Sequence, residues 1–246
     1  MMPGNRGRDL LKRPVTTAAC AVARTHPDRG NSDPIPDSLL RVIVDHGGGV
    51  WVAHLSGDPD TWLGFAAALP AQDEQGWYLH SHLTGVREAY RGQGVGLLRK
   101  TRQRQWALEH GYRRLAWTFD PLRARNAHFN IERLGVRVLA YRDDYYGSLM
   151  SRLNRSLPTD RLVVEWPSDP AIRARPTFRE GDPKALIDIP ADLDDLLRRD
   201  GGDALRALHG VRAAFTRCLQ EGFHVSGFLR HAPGPCYVLR KSAQPL

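Results

Sequence analysis

The sequence predicts an α/β fold in which a mixed central sheet is flanked by helices and followed by a C-terminal α+β extension. Two observations predict this fold. Segments with the apolar spacing of strands and of helices alternate from about residue 37 to residue 167. After a proline-rich link, residues 168–246 carry a strand pattern, acidic-basic helices and a terminal hairpin. We therefore divide the chain into an irregular N-terminal segment (1–36), a core (37–167) and an extension (168–246) that packs on the core.

The first elements of the core are a helix and three strands. The segment DSLLRVIVDHGGG has the apolar stripe of a helix and ends in glycines. VWVAHLS and WLGFAAALP predict two strands around the turn GDPDT. GWYLHSHLTGV predicts a third strand, and its alternation places His80 and His82 on one face and Ser81 and Leu83 on the other.

A glycine-rich segment and a basic helix follow the third strand. VREAYRGQGVG ends in three glycines at alternate positions, and LLRKTRQRQWALEHGY then predicts a helix. The residues that share roughly one face of this helix, with the basic residues elsewhere, are Leu97, Leu98, Thr101, Gln105 and Leu108. Ten basic and three acidic residues lie between Arg87 and Arg125. This run indicates either a solvated helix face or an anion site, and its start at the glycines favours the anion site.

The rest of the core and the extension continue the alternation. RRLAWTF predicts a strand, and DPLRARNAHFNIERLG predicts a loop and a helix that Gly135 ends. VRVLAYRDDYYG and RLVVEWP predict two further strands. In the extension, ALIDIP predicts a strand, residues 191–221 predict helices, and FHVSGFLRHAPGPCYVLRK predicts the hairpin.

Composition excludes several classes of function. No apolar run approaches the length of a membrane span, and the N-terminus lacks the continuous apolar segment of a secretory signal. The three cysteines are widely spaced and odd in number, which fits reduced thiols in the cytoplasm and no metal site. The net charge of +8 is compatible with nucleic acid, but the sequence contains no aromatic-basic RNA motif, zinc finger or basic zipper. We therefore expect no membrane or nucleic-acid partner.

The chemistry of the glycine segment is that of an anion site. The first amides of a helix have no partner within the helix, and the helix dipole favours negative charge there. Glycines let a pyrophosphate approach the backbone closely. A dinucleotide or S-adenosylmethionine fold is one alternative, with Asp120 at the end of the next strand. Against it, five mainly polar residues separate strand and glycines, and the spacing is G-x-G-x-G. A glycine-rich turn without a ligand is the other alternative.

The stretch V-R-E-A-Y-R-G-Q-G-V-G-L-L resembles the cofactor signature of the GNAT acetyltransferase superfamily. In that signature a strand end and a few polar residues precede Q/R-x-x-G-x-G/A at the start of a helix, and Arg91, Gly94 and Gly96 fill those positions. The resemblance extends over about residues 37–167 and does not cover the extension. It implies acyl transfer from acetyl-CoA, or another acyl-CoA, to an amine acceptor, with no metal.

The resemblance also implies which residues hold the cofactor. The backbone near Val86 would line up with the pantetheine arm, Asn126 would contact the cofactor, and the basic helix would face the remaining phosphate. The residues whose positions hold the pyrophosphate would be Arg91, Gly92, Gln93, Gly94, Val95, Gly96 and Leu97.

Catalytic groups are less defined. His80 and His82 lie on the strand where such enzymes place a general base, and arylalkylamine N-acetyltransferases are similar in carrying two histidines there. Histidine titrates near neutrality, which suits a base, although both side chains also fit a purely structural role. Ile131 stands where the family commonly has a tyrosine that protonates the leaving thiolate. The remaining candidates for that task are water, His128, Tyr141, Tyr145 and Tyr146.

The expected acceptor is a small molecule or a peptide with an amine. Because the extension has apolar sets that must be covered, it packs either on the core or on a second subunit, which leaves a homodimer open. The missing tyrosine favours one alternative function, a non-catalytic acyl-CoA-binding or regulatory protein of the same fold.

Overall fold

The computed structural model describes residues 36–147, 157–230 and 234–241. Cys20 and nearly all of the N-terminal segment lie outside the described residues. The chain divides into two compact units, of which the first ends at Leu115 and the second begins at Ala116. The boundaries drawn from the sequence at residues 37 and 168 stay predictions.

Among residues 36–115, the first unit contains every element that the sequence predicts. Its elements are α1 (Asp37–Asp45), β1 (Gly49–Leu55), β2 (Asp58–Asp73), β3 (Gly76–Val86), a 3-10 turn (Glu88–Tyr90) and α2 (Val95–Glu109). The three strands lie in the order β1-β2-β3, and both pairs are antiparallel. The predicted bounds of the third strand are therefore confirmed, because the GWYLHSHLTGV segment and β3 coincide.

A β-bulge interrupts β3 at its centre. Between Leu83 and His80 the pairing crosses only one residue of β2, so Ser81 and His82 both stand opposite Ala68. An extra residue on one strand bends it and changes the direction of the neighbouring side chains.

The predicted alternation of β3 is wrong at this bulge. Leu83 packs on the cluster that includes Leu40 of α1, whereas the Ser81 hydroxyl contacts Lys100 of α2. Ser81 and Leu83 thus contact different helices, although strict alternation would place them on one face. A bulge depends on how β2 pairs with β3, and the β3 sequence alone does not contain that information.

The buried face of α2 also differs from the prediction. Its buried residues are Val95, Arg99, Lys100, Gln103, Trp106 and Ala107. Leu108, on the predicted apolar face, is 48% exposed. Trp106 and Val95 set the buried face instead: Trp106 packs edge-on against Trp51 with ring centroids 5.4 Å apart, and Val95 joins a cluster with Leu63. Long basic side chains can bury their alkyl stems, so Arg99 and Lys100 follow these anchors into the interior.

The second unit carries the rest of the chain. Strand β4 (Arg114–Phe119) starts in the first unit and ends in the second, and the following elements are α3 (Ala124–His128), a π-helical turn (Phe129–Leu134), β5 (Arg137–Arg142), β6 (Arg161–Pro167), β7 (Lys184–Asp188), α4 (Leu193–Arg199), α5 (Gly201–Gln220), β8 (His224–Leu229) and β9 (Cys236–Arg240). Strands here lie in the orders β4-β6-β5 and β7-β9-β8. Gly135 ends the π-helical turn with a φ of 70°, as predicted for the end of that helix.

Side chains of the extension contact earlier residues of the second unit. Arg212 of α5 binds both carboxylate oxygens of Asp160, at 2.8 and 2.7 Å. The buried hydroxyl of Tyr237 donates to the Pro121 carbonyl at 2.8 Å. The predicted fold class is confirmed: a central, mostly antiparallel sheet is flanked by helices, and a separate C-terminal sheet follows. None of the described helices is both long enough and apolar enough to cross a membrane.

Candidate functional site

The glycine segment forms an open loop at the N-terminus of α2. Gly92 and Gly94 have φ values of 76° and 82°, a region that favours glycine. Gly94 is the N-cap of α2, no side chain caps this end, and the first turn has no acidic residue. The first intrahelical bond runs from the Leu98 amide to the Gly94 carbonyl at 3.0 Å. The amides just before it therefore remain for an external acceptor.

The space in front of these amides is open. A Cβ atom added at Gly92 or Gly94 would meet no heavy atom within 4 Å. The amides that precede the first intrahelical bond are those of Val95, Gly96 and Leu97. With the positive end of the helix dipole behind them, they form a cradle that fits an anion such as pyrophosphate.

The predicted polar residues of the loop hold its shape. Arg91 Nε lies 3.4 Å from the Val86 carbonyl, which joins the loop to the end of β3. Gln93 Nε2 donates to the Ala89 carbonyl at 3.0 Å. Arg87 contacts Trp62 twice, with a bond to its carbonyl at 3.3 Å and the guanidinium 5.0 Å from the ring centroid. Two guanidinium groups thus flank the loop, and Arg91 is half-exposed toward solvent.

Two cations that sequence reasoning missed lie buried beneath the β2–β3 pair. Arg99 is fully buried, and its NH1 donates to the carbonyls of Phe65 and Gly85. Burial lowers the pKa of Arg99 to about 10, so it remains charged at neutral pH. The feature of the sequence that could have predicted the burial of Arg99 is the spacing of Val95, Arg99 and Trp106 along one helix face.

Lys100 belongs to a buried polar chain beneath the bulge. Its Nζ donates to the Ser81 hydroxyl at 2.8 Å, and that hydroxyl donates to Gln103 Oε1 at 3.0 Å. Burial, and secondarily the Arg99 charge, lowers the pKa of Lys100 well below its ordinary value. This chain anchors Ser81, one of the two bulge residues, to α2.

The two predicted histidines lie together at the bulge, with ring centroids 6.1 Å apart. Burial lowers the pKa of His80 to about 4, and the charges of His82 and Lys100 add to that effect. Burial also lowers the pKa of His82. The expectation that His80 titrates near neutrality is therefore wrong. Both imidazoles are neutral at pH 7, the form that accepts a proton, and protonated His80 gives its proton up readily.

The remaining predicted residues lie in the second unit. The Asn126 side chain is exposed, and the main-chain carbonyl of Asn126 accepts from Asn130 Nδ2 at 2.9 Å. Ile131 is fully buried, so the position of the usual tyrosine is part of an apolar core. The Tyr141 hydroxyl donates to Asp160 at 2.5 Å, and burial raises its pKa, which makes Tyr141 a poor proton donor. The contact of Asn126 with a cofactor stays a prediction.

Two other features of the second unit bear on the alternatives. Asp120 accepts from the Leu122 amide at 2.9 Å and lies 3.4 Å from Arg123, so its carboxylate serves local structure. A cavity of about 830 Å³ opens beside β8, and no predicted site residue lines it. Within the described ranges, no group of three or more acidic, histidine or cysteine residues could hold a metal ion.

Comparisons with known proteins find similarity to the GNAT family, which the glycine segment also resembles. Residues 19–136 match the Acetyltransferase (GNAT) family. A search of curated proteins found no match. Among solved structures, an acetyltransferase of the GNAT family from Streptococcus pneumoniae is 13% identical with a TM-score of 0.50, over 65% of this chain and 99% of its own. A GNAT-family protein from Desulfovibrio desulfuricans is 16% identical with a TM-score of 0.50, over 66% of this chain and 100% of its own. The NatC complex bound to Gag peptide and CoA is 12% identical with a TM-score of 0.51, over 65% of this chain and 98% of its own. These similarities show the fold.

Proposed function

Because residues 19–136 of this chain match the acetyltransferase (GNAT) family, we propose that it transfers an acetyl or other acyl group from acyl-CoA to an amine. One observation carries this proposal: an uncapped helix N-terminus behind two left-handed glycines, with open space in front of its amides. Such a cradle suits the pyrophosphate of CoA. The NatC complex, which has this fold, is bound to CoA and a peptide, which supports the same substrate classes here.

The acyl-CoA would extend from the glycine loop along the end of β3. The amides of Val95, Gly96 and Leu97 would bind the pyrophosphate, and Arg91 would add positive charge at the loop. Backbone groups near Val86 would hold the pantetheine arm. Asn126 would contribute a further contact to the cofactor.

The reaction we propose is a direct transfer. The neutral amine attacks the thioester carbonyl, the new C–N bond forms, and the C–S bond breaks with its electron pair on sulfur. His80 accepts the proton that the amine loses, directly or through His82 and water. Because the pKa of His80 is about 4, the imidazolium would pass this proton on readily to solvent or to the thiolate. Protonated His80 would then take the part of the proton donor for which the family commonly has a tyrosine, at the position of Ile131 here.

The acceptor that we propose is a small molecule or a peptide with an amine. We also propose a cytoplasmic location, since Cys218 and Cys236 are free thiols. A homodimer stays a proposal that a measurement of mass in solution would test.

The second candidate function is non-catalytic binding of acyl-CoA. The buried, apolar Ile131 favours it, because the usual proton donor is missing. The test is to offer purified protein acetyl-CoA with a library of amines and to measure free CoA thiol. Amine-dependent release of CoA supports the enzyme. Tight binding of acetyl-CoA without release by any amine supports the binding protein, and binding of S-adenosylmethionine in place of acetyl-CoA contradicts both.

A further inference from the structure

Resting on the proposed function, we propose that Arg99 is a buried binding residue for acyl-CoA. Its charge, which no described acidic group compensates, attracts the pyrophosphate to the N-terminus of α2.

Arg99 lies directly behind the proposed anion cradle. It is the fifth residue of α2, one helical turn beyond Val95, or about 6 Å along the axis. Side chains on a helix lean toward its N-terminus, which brings the guanidinium nearer to the cradle. NH1 donates to the Gly85 carbonyl, one residue before Val86. A Cβ at Gly64 would lie 2.7 Å from NH1, so the glycine there makes room for the guanidinium.

The charge of Arg99 is not compensated by an acid within residues 36–147, 157–230 and 234–241. Its described contacts are carbonyl oxygens, and its Nε and NH2 have no hydrogen-bond partner in that part of the chain. Burial is the one cause of its lowered pKa, and at about 10 that pKa keeps the group charged at pH 7. An isolated buried charge is costly to the fold, and a bound anion nearby would offset part of that cost.

Burial makes this charge act farther than the exposed arginines do. Solvent and salt screen Arg91 and Arg87 at the surface. Arg99 lies in a medium of low effective dielectric, where a unit charge still attracts strongly at about 10 Å. Pyrophosphate carries negative charge at the end of the same helix that bears Arg99. Removal of the charge should therefore weaken acyl-CoA binding about tenfold.

Lys100 provides a matched control. It is the next residue of α2 and is equally buried, but its Nζ donates to Ser81 at the bulge and not to the strand end. Burial lowers the pKa of both side chains. Lys100→Met removes a buried amino group of the same helix that lies at the bulge, so it tests whether the position of Arg99 beside the strand end matters.

The test compares a donor with phosphates and one without. Dissociation constants of acetyl-CoA are measured by calorimetry and those of S-acetylpantetheine by chemical-shift titration, for wild type, Arg99→Met, Arg99→Lys and Lys100→Met. We expect Arg99→Met to weaken acetyl-CoA about tenfold and S-acetylpantetheine less than about twofold. The ratio of the two constants should stay at the wild-type value in Arg99→Lys and Lys100→Met.

The outcomes separate this inference from the proposed function. An equal loss of both donors in Arg99→Met, or no loss of either, overturns the role of the charge while acyl-CoA binding stands. If Arg99→Met does not fold, Arg99→Lys decides. A tenfold shift in the ratio of its dissociation constants for acetyl-CoA and S-acetylpantetheine would contradict a role that depends on charge alone. Wild-type protein that fails to bind acetyl-CoA refutes the proposed function itself.

Discussion

Replacement of Gly94 by aspartate should weaken acyl-CoA binding, while the same replacement at Gly111 should not. Both glycines lie at ends of α2, with φ values of 82° and 78°, and a Cβ at either would meet nothing within 4 Å. A non-glycine residue in this region costs about 1–2 kcal/mol, so both variants should lose stability. Gly111→Asp should lose more, because the helix dipole disfavours a carboxylate at the C-terminus and favours one at the N-terminus. They differ in which end of the helix receives the charge.

The expected effect on binding follows from the geometry of the cradle. A carboxylate at Gly94 would stand beside the pyrophosphate and compete with it for the amides of Val95, Gly96 and Leu97. Two like charges about 4–5 Å apart repel by about 1–4 kcal/mol at effective dielectric constants between those of water and of a protein surface. Acetyl-CoA should therefore bind about 10- to 100-fold more weakly to Gly94→Asp.

Calorimetry with acetyl-CoA and thermal unfolding of both variants test this reasoning together. We expect the melting temperature of Gly111→Asp to be no higher than that of Gly94→Asp, and a loss of affinity in Gly94→Asp alone. Wild-type affinity in Gly94→Asp would refute the assignment of the glycine loop. An equal loss of affinity in Gly111→Asp would show that strain in α2, and not charge at the cradle, explains the result.

Three further predictions concern the base, the bulge and the extension. His80→Ala should lower kcat by about 10²–10⁴-fold with little change in acetyl-CoA affinity. The kcat of the wild-type enzyme should fall only as the pH drops toward 4, because the neutral imidazole of His80 is the active form. Unchanged turnover of the His80 and His82 single and double variants would make both side chains structural. Lys100→Met removes a positive charge that lowers the pKa of His80, so this pKa should rise in an NMR titration. It should stay below 6.5, because His80 remains buried. An unchanged pKa would contradict the electrostatic effect of Lys100 on His80. A chain truncated after Pro167 exposes the surface that Tyr237 and Arg212 contact, and it should aggregate. If light scattering found the truncated chain to be monomeric, the extension would not be needed to cover that surface.

Local backbone chemistry made part of this site predictable from the sequence. The strand pattern of the β3 segment lies within eleven residues, and the strand is found at Gly76–Val86, although the bulge breaks its alternation. The glycine segment predicts an anion loop because glycine allows close approach of a ligand, and the structure adds that Gly92 and Gly94 have positive φ values. Such features depend on a few neighbouring residues.

The features that the sequence did not reveal depend on partners far along the chain. Arg99 lies inside because its guanidinium meets the carbonyls of Phe65 and Gly85, and that meeting requires β2 and β3 to be paired first. The bulge at Ser81 and His82 arises from the register with β2. The low pKa of His80 follows from burial at that bulge, so a histidine motif could suggest a base but not its strength.

The most direct test of the account is to map where acetyl-CoA changes the amide spectrum of the isotope-labelled protein. We expect the largest chemical-shift changes at the amides from Gly92 to Leu97 and smaller changes near Val86. It would be contradicted if acetyl-CoA left the glycine loop unchanged and instead shifted the amides of Gly227 and Phe228, which line the 830 Å³ cavity of the second unit.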